Sequence, residues 1–340
     1  MRKILRIAPI FVPLIPFNAL AHHSQSPYDT STVLSIEGTV TEYVWKNPHV
    51  FLLVDRRMAD GSVTAVEIEA DAASALIPFG TSAESVTAGD RVVVNASPHR
   101  RLGAKAMLGR EIIKDDGTIV ALSISYSRQL VSSGSASASS IEGTWLPEQL
   151  ALFRFNDEPE LLPVTEAGRK ALEEYSLSDS PFVSCIPPSA PVSMLYPALN
   201  TVEIRDNVIV LRNDWLGGDR IVYMDGRSHP ENTERTIQGH SIGWWEGLTL
   251  VIDTIHFADH RRGHIGPGLP SGPRKHLIER ITLNEDGTSL TYTFTAEDPD
   301  YLAEPITYSF IWYYRPDMRP TRIECDFDAA GRALELESEE

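Results

Sequence analysis

Basic residues are scarce in this sequence. The 340 residues include 30 Lys and Arg against 47 Asp and Glu, for a formal net charge of −17. Such a surplus of negative charge repels phosphate groups, so nucleic acid and anionic membranes are poor partners. Beyond the first 21 residues no segment is apolar over the about 20 residues that a membrane span needs. The H-E-x-x-H pattern of a helical zinc site is also absent.

Cysteine is nearly absent as well. The two cysteines, Cys185 and Cys325, both lie in the second half of the chain. We predict that they form a disulfide, because such a bond persists in an oxidising compartment. The alternative is two separate buried thiols, since the sequence does not show whether their Cα atoms approach closely enough.

The first 21 residues have the pattern of a cleavable export signal. Three basic residues precede an apolar stretch (7–17), and a small-x-small site ends at Ala21. We therefore expect a periplasmic or secreted protein whose mature chain begins at His22. The 319 remaining residues (340 minus 21) exceed the about 100 to 200 of one domain, so we expect two domains.

Residues 22–124 predict an OB-like five-stranded β-barrel. In the third strand Val66, Ile68 and Ala70 alternate with glutamates, as in a sheet with one wet face. One helical turn, 72–77, falls between the third and fourth strands, the arrangement of an OB barrel. The predicted strands are 36–45, 50–55, 64–70, 91–96 and 107–122.

Residues 125–140 have the Ser, Gly and Ala composition of a flexible linker. In the following region, 141–333, hairpin turns at 206–207, 246–247 and 286–287 favour an antiparallel meander. A meander of this length tends to close and remove its edges, so we expect a calycin-like or lipocalin-like barrel with an interior cavity. An acidic tail, 334–340, ends the chain, and the predicted fold class is all-β.

Two segments resemble known families. The N-terminal HHS motif at His22, together with W-K-N-P-H-V (45–50), resembles the start of a family of exported bacterial proteins of unknown function. The motifs G-H-S-I-G-W-W-E-G (239–247) and T-L-V-I-D-T (249–254) resemble another set of uncharacterised exported proteins. The resemblance implies export and two modules, and it implies no reaction.

The predicted mature N-terminus suggests a metal site. The α-amine and imidazole of His22, with His49 as a third donor, make a nitrogen set suited to copper. In a second arrangement His23 chelates with the amine and the intervening amide. The alternative is a loose terminus with solvated histidines.

The segment Gly239–Gly243 matches the G-x-S-x-G nucleophile elbow, with Ser241 as the candidate nucleophile. Asp253 and His276 follow in the Ser, Asp, His order of a serine esterase. A true elbow requires a strand-to-helix turn, however, and a strand follows here. The alternative is a pair of glycines that lets a strand bend.

Two carboxylates interrupt apolar strand faces. Asp253 follows Val251 on one face, and Glu279 lies between Leu277 and Ile281 on another. A carboxylate inside a barrel either pairs with a base or has a raised pKa that suits it to general acid or base catalysis. The candidate catalytic residues are His240, Asp253, Glu279 and Ser241, and Arg220 and Arg280 are the candidate ion-pair partners.

Histidines and aromatic residues are dense in the second half. His256, His260 and His264 have the spacing of helical metal ligands, but glycines and prolines predict a loop here. We predict that this loop, 259–273, forms a lid over the barrel mouth. The candidate ligand-binding residues are Trp244, Trp245, Arg220, His276, Arg280 and Tyr292.

The sequence therefore favours an exported protein that binds a small apolar or aromatic molecule in its second barrel, with a copper site in the first. The second reading is a periplasmic enzyme, an acid/base lyase, isomerase or hydrolase that uses the carboxylates and His240. A serine esterase and a structural protein are further readings. Whether Asp253, Glu279 and His240 line one cavity would separate these classes.

Overall fold

The computed structural model describes residues 27–58, 60–126, 136–148, 155, 161–265 and 268–331. The predicted signal, His22, His23, most of the linker and the acidic tail lie outside these residues. Among the described residues, no helix is long and apolar enough to cross a membrane. The chain is mostly β-structure, as predicted.

The N-terminal strands close into a five-stranded barrel in the order β3-β2-β1-β4-β5, with β3 pairing in parallel with β5. Strand β6 extends the sheet beside β5. The short helix α1 and a 3₁₀ turn lie between β3 and β4, which confirms the predicted OB-like arrangement. The elements are β1 Leu34–Val44, β2 Val50–Arg57, β3 Val63–Ala70, α1 Ala73–Leu76, the 3₁₀ turn Ile77–Phe79, β4 Arg91–Pro98, β5 Ala106–Lys114 and β6 Ile119–Ala121.

The alternation in β3 places Val66, Ile68 and Ala70 in the barrel core, as predicted. The opposite face of β3 is less exposed to solvent than its glutamates predict. Glu69 is buried there, because the Tyr28 hydroxyl donates a hydrogen bond to its Oε2 at 2.6 Å. The segment before β1 therefore covers part of the outer face of this barrel.

The C-terminal strands close into a nine-stranded barrel in the order β10-β11-β12-β13-β14-β15-β7-β8-β9. The three predicted hairpin turns all join neighbouring strands. One pair departs from the predicted antiparallel arrangement, since β10 and β11 run parallel. The strands are β7 Gly143–Pro147, β8 Asn200–Arg205, β9 Val208–Asn213, β10 Arg220–Tyr223, β11 His240–Glu246, β12 Thr249–Ile255, β13 His276–Leu283, β14 Ser289–Glu297 and β15 Ile306–Tyr314.

The parallel pair has a structural consequence. A parallel connection cannot be a tight turn, so the chain crosses from one end of the barrel to the other between β10 and β11. Within this crossing His229 contacts His240, and Thr236 forms a bridge with Phe257. The crossing segment thereby covers part of the outer barrel face.

Large side chains fill the interior of the second barrel. Trp145, Tyr292, Phe294 and Trp312 are fully buried in one core cluster. The predicted lid is part of this packing, because Ile265 and Leu269 belong to the same cluster. Aromatic and aliphatic side chains thus occupy the described interior, where the sequence predicts a cavity.

The two barrels pack against each other. Trp215 and Ala198, from the second half of the chain, belong to the core cluster of the first barrel. Asn47 forms a bridge with Cys325, and Cys325 is joined to Cys185 by a disulfide with a Cα–Cα distance of 5.7 Å. The predicted disulfide is therefore present, and it lies at the barrel junction.

Short helices connect the strands. Helix α2, Glu166–Glu173, begins after Thr165, whose hydroxyl accepts a hydrogen bond from the Gly168 amide at 3.0 Å. Helix α3 is Val192–Leu195, and 3₁₀ turns occupy Leu177–Asp179 and Pro181–Ser184.

Candidate functional site

Four histidines and one aspartate meet on the outer face of the second barrel, in what we call the outer histidine cluster. They come from β11, β12, β13, the end of β12 and the crossing segment. The members are His229, His240, Asp253, His256 and His276.

Strand alternation explains this placement. On β12, Leu250 and Ile252 point into the barrel core, so Asp253 points outward. His240 pairs with Ile255, and His276 lies two residues before Ile278, the partner of Asp253. Because two residues are one full period of a strand, both imidazoles lie on the same outer face as Asp253. The crossing segment, which covers this outer face, brings His229 to the same place.

Three short distances link these side chains in a line. Nδ1 of His240 lies 2.8 Å from Nδ1 of His229, so one ring donates a proton and the other accepts it. Nε2 of His229 lies 3.5 Å from Oδ1 of Asp253, a distance typical of electrostatic contact more than of a hydrogen bond. Nε2 of His276 donates to the same oxygen at 2.8 Å.

The histidines of this line differ in basicity. The hydrogen bond to Asp253 raises the pKa of His276 above its ordinary value. Burial, followed by the positive charge of neighbouring histidines, lowers the pKa of His240. Burial also lowers the pKa of His229, although Asp253 opposes that effect. Near pH 6.5 the line therefore joins an imidazolium to neutral imidazoles.

Asp253 remains a carboxylate. Burial alone would raise its pKa, but the hydrogen bond and charge of His276 and the charge of His229 outweigh burial and lower it. The aspartate thus orients His276 and balances its positive charge. The same function is served by the carboxylate behind the histidine in many acid/base sites.

The line ends beside solvent. The ring of Tyr223 stacks on the His240 ring, with 5.2 Å between their centroids. The Arg227 guanidinium carbon lies 4.0 Å from the centroid of the Tyr223 ring. An open pocket of about 510 Å³ adjoins the cluster through His256, whose Nε2 is 2.8 Å from the Pro230 carbonyl. The pocket lining is polar and consists of Glu231, Asn232, Thr233, Glu234, Arg235 and His256.

Glu279 lies on the opposite side of the barrel wall. It is fully buried in the interior, where Arg220 donates to both carboxylate oxygens at 2.5 and 2.8 Å and the Tyr292 hydroxyl donates at 2.6 Å. Glu279 and Asp253 therefore do not line one cavity. Glu279 does not converge with Asp253 and His240, because alternation along the neighbouring strands places these residues on opposite faces.

Ser241 is separated from its predicted partners in the same way. Its side chain points inward, is 1% exposed, and shares a 2.8 Å hydrogen bond with the Thr254 hydroxyl. Asp253 and His276 lie outside the barrel. The glycine motif lies at the start of a β-strand, as the bent-strand alternative describes.

The predicted ligand-binding residues are dispersed. Arg220 and Tyr292 belong to the interior ion pair, and His276 belongs to the outer histidine cluster. Trp244 and Trp245 are partly exposed near the β11–β12 turn. Arg280 and the Trp244 indole both donate to Glu246, at 2.5 and 3.0 Å. These side chains do not form one aromatic wall.

The metal prediction rests on His49, because His22 and His23 lie outside the described residues. Nδ1 of His49 is 3.0 Å from Oε1 of Glu69. Burial would lower the pKa of His49, but the charge and hydrogen bond of Glu69 outweigh it and raise the pKa. Within the described ranges, no group of three or more histidine, cysteine or acidic side chains converges to hold a metal ion.

Sequence patterns predict part of the outer histidine cluster. The motifs around His240 and Asp253 predict these two candidates, and the Ser, Asp, His order includes His276. The sequence does not predict a role for His229, which lies in the segment D-G-R-S-H-P (225–230). A long loop that joins two parallel strands is the feature that delivers it, and strand patterns do not reveal loop paths.

Comparisons with known proteins agree with the first resemblance. Residues 12–107 match the model of a family described as a family of unknown function, DUF6152. This range contains most of the first barrel. Neither the curated proteins nor the solved structures contain a significant match to the chain.

Proposed function

We propose that this protein is an exported enzyme that performs proton transfer on a small polar molecule at the outer histidine cluster. The single observation that carries the proposal is the chain of contacts that joins His240, His229, Asp253 and His276. At one end His276 holds a proton, and at the other end His240 is neutral and can accept one. Environments that push two pKa values apart are how active sites assign an acid and a base.

Each member of the line has a role in this proposal. His276 is the general acid, because Asp253 keeps its ring protonated. His240 is the general base, because its lowered pKa keeps the ring neutral. His229 relays protons between His240 and the Asp253 side. Tyr223 holds the His240 ring by stacking.

The proposal predicts a bell-shaped dependence of rate on pH. Activity falls at low pH as His240 becomes protonated, and it falls at high pH as His276 loses its proton. Because the pKa of His240 is lowered and the pKa of His276 is raised, the rate is highest near the ordinary histidine pKa of about 6.5.

The test uses three probe reactions that report acid/base catalysis. These are deuterium incorporation into hydroxyacetone, hydrolysis of p-nitrophenyl acetate and hydrolysis of p-nitrophenyl phosphate. The variant His240→Gln should lower the rate of any probe reaction that the wild type catalyses by about 10²-fold or more. His99→Gln, in the other barrel, is the matched control and should keep the wild-type rate. Equal rates for His240→Gln and wild type in all three reactions would contradict the proposal.

Export is a separate part of the proposal. It rests on the N-terminal sequence pattern, and the Cys185–Cys325 disulfide is compatible with an oxidising compartment. N-terminal sequencing of protein expressed in a bacterial host should give His22 as the first residue. Recovery of intact Met1 from the cytoplasmic fraction would argue against export.

An apolar ligand inside the second barrel, the first reading of the sequence, receives less support. The inner positions are occupied by aromatic side chains and by the paired Arg220 and Glu279. A ligand in this space would have to displace them. The polar outer cluster beside an open pocket is the better candidate for binding and chemistry.

A second candidate function is copper binding by His22, His23 and His49. The supporting observation is that Tyr28 donates to Glu69, the same carboxylate that pairs with His49. Tyr28 is six residues after His22, and six residues span at most about 20 Å. Calorimetry of protein beginning at His22 should show copper uptake that His49→Ala weakens. Absence of uptake by the wild type would contradict this candidate.

A further inference from the structure

Arg262 is a buried arginine without an acidic partner. Its side chain is 8% exposed, and its Nε has no hydrogen-bond partner. No described carboxylate forms an ion pair with it. An unpaired charge in this position is costly, because desolvation of an ion costs several kcal/mol unless a counter-charge or hydrogen bonds offset it.

Aromatic and basic side chains lie around Arg262. Asp71 of the first barrel acts with Arg262 on the Tyr196 hydroxyl, but it forms no ion pair with Arg262. Its guanidinium carbon lies 4.9 Å from the Phe182 ring centroid. Its backbone amide donates to Nδ1 of His260 at 3.0 Å, and burial keeps that imidazole neutral by lowering its pKa to about 4. The nearby Lys275 ammonium is held by neutral oxygens of Ser189, Ala190 and Gly263.

A second unpaired donor contacts the same phenylalanine. Trp215 is 2% exposed, and its indole Nε1 has no hydrogen-bond partner. Its ring centroid lies 4.1 Å from that of Phe182, and its other neighbour is Tyr196, stacked at 3.5 Å. Trp215 belongs to the core cluster of the first barrel, so this place is the barrel junction.

We propose that Arg262 binds an oxyanion, the carboxylate or phosphate group of a small ligand, at the junction of the two barrels. The guanidinium fork is suited to both groups, and a planar oxyanion would accept from Nε. The Trp215 indole is a second buried donor without a hydrogen-bond partner, and it contacts the same Phe182 ring. The site is distinct from the outer histidine cluster and does not depend on the proposed enzyme activity.

The chain itself also carries carboxylate groups that could act as the oxyanion. The acidic residues of the tail lie outside the described residues, and their carboxylates are an internal source of the oxyanion. They are Glu335, Glu337, Glu339 and Glu340. A full-length variant with these four glutamates changed to glutamine removes the side-chain carboxylates of the tail, and so separates them from an external ligand.

The experiment is thermal unfolding in sodium acetate or inorganic phosphate, with sodium chloride at equal ionic strength as reference. At about ten times Kd, the wild type should gain about 3 °C or more in Tm over chloride. Arg262→Met should show no such gain, and its Tm in chloride should not fall, because it removes an unpaired buried charge. Arg274→Met removes a surface arginine paired with Asp300 and should respond as the wild type does.

Two further variants complete the test. If the tail supplies the oxyanion, only the four-glutamine variant gains Tm in acetate or phosphate, and the gain again requires Arg262. Arg262→Lys keeps the charge but loses the planar fork, so its apparent affinity should fall about tenfold or more. The proposal is overturned if neither full-length protein gains Tm, or if Arg262→Met gains as much as the wild type.

Discussion

Oδ1 of Asp253 lies 2.8 Å from Nε2 of His276 on the outer face of the second barrel. The same oxygen is 3.5 Å from Nε2 of His229. One carboxylate therefore organises two imidazoles that come from a strand and from a crossing loop. This arrangement explains why His276 and His229 have pKa values shifted in opposite directions, since only His276 makes the close hydrogen bond.

Asp253→Asn should lower the pKa of His276. The hydrogen bond to Asp253 is the main cause of the raised value, so its loss returns the ring towards about 6.5. A raised folded-state pKa contributes stability below the unfolded value of about 6.5, and this contribution disappears as pH rises through the folded pKa. Because the pair is partly exposed, the loss of stability should not exceed about 1 kcal/mol.

NMR titration of the imidazole signals measures this change. Glu246→Gln, which removes the partner of Arg280 from the same barrel face, is the matched control and should leave His276 unchanged. An unchanged His276 pKa in Asp253→Asn would show that Asp253 does not set the protonation of the cluster.

Glu279→Gln should strongly destabilise the fold. The substitution leaves the Arg220 guanidinium buried without a counter-charge, and breaking a buried pair in this way costs about 3 to 5 kcal/mol. The double variant Arg220→Met with Glu279→Leu should recover most of this loss, because it removes both charges. Urea unfolding measures both. A single variant within about 1 kcal/mol of the wild type would contradict the role of this ion pair.

Removal of the disulfide should destabilise the contact between the two barrels. The bond closes a loop between cysteines 140 residues apart, and Cys325 lies beside Asn47 of the first barrel. Replacement of both cysteines by serine should cost about 2 to 5 kcal/mol in denaturant unfolding. Hydrogen exchange should accelerate at Asn47 and along 321–331. Exchange that accelerates only far from the junction would argue against this role.

Lys275 should make stability depend on pH. Burial lowers the pKa of Lys275 to about 7, against about 10.4 for an unfolded lysine. Between these values the unfolded chain binds one more proton than the folded chain, so the free energy of unfolding rises with pH. The slope approaches about 1.4 kcal/mol per pH unit. Below about pH 7 the ammonium is charged in both states and this slope disappears.

The variant Lys275→Met isolates this effect. Its own stability change includes the loss of three hydrogen bonds, so the informative quantity is the difference from the wild type as a function of pH. Urea unfolding from about pH 6 to 9 should show that difference changing in favour of the wild type above about pH 7. Parallel curves would mean that Lys275 keeps its proton in the folded state.

Local patterns in the sequence determined the strands, the hairpin turns, the OB-like helix position and the two-barrel organisation. The alternation of Val66, Ile68 and Ala70 and the turn at 286–287 are properties of a few neighbouring residues, so they predict structure without knowledge of the path of the rest of the chain. The Cys185–Cys325 pair followed from there being only two cysteines.

The tertiary structure alone decided which faces of β12 and β13 became the interior. Asp253 and Glu279 both lie among apolar residues, and alternation defines two faces without saying which one is inside when loops cover the outer one. The path of the 224–239 crossing brings His229 to Asp253, and the packing of the barrels leaves Arg262 unpaired. These contacts join residues far apart in sequence, so they depend on chain closure and packing, which no short segment encodes.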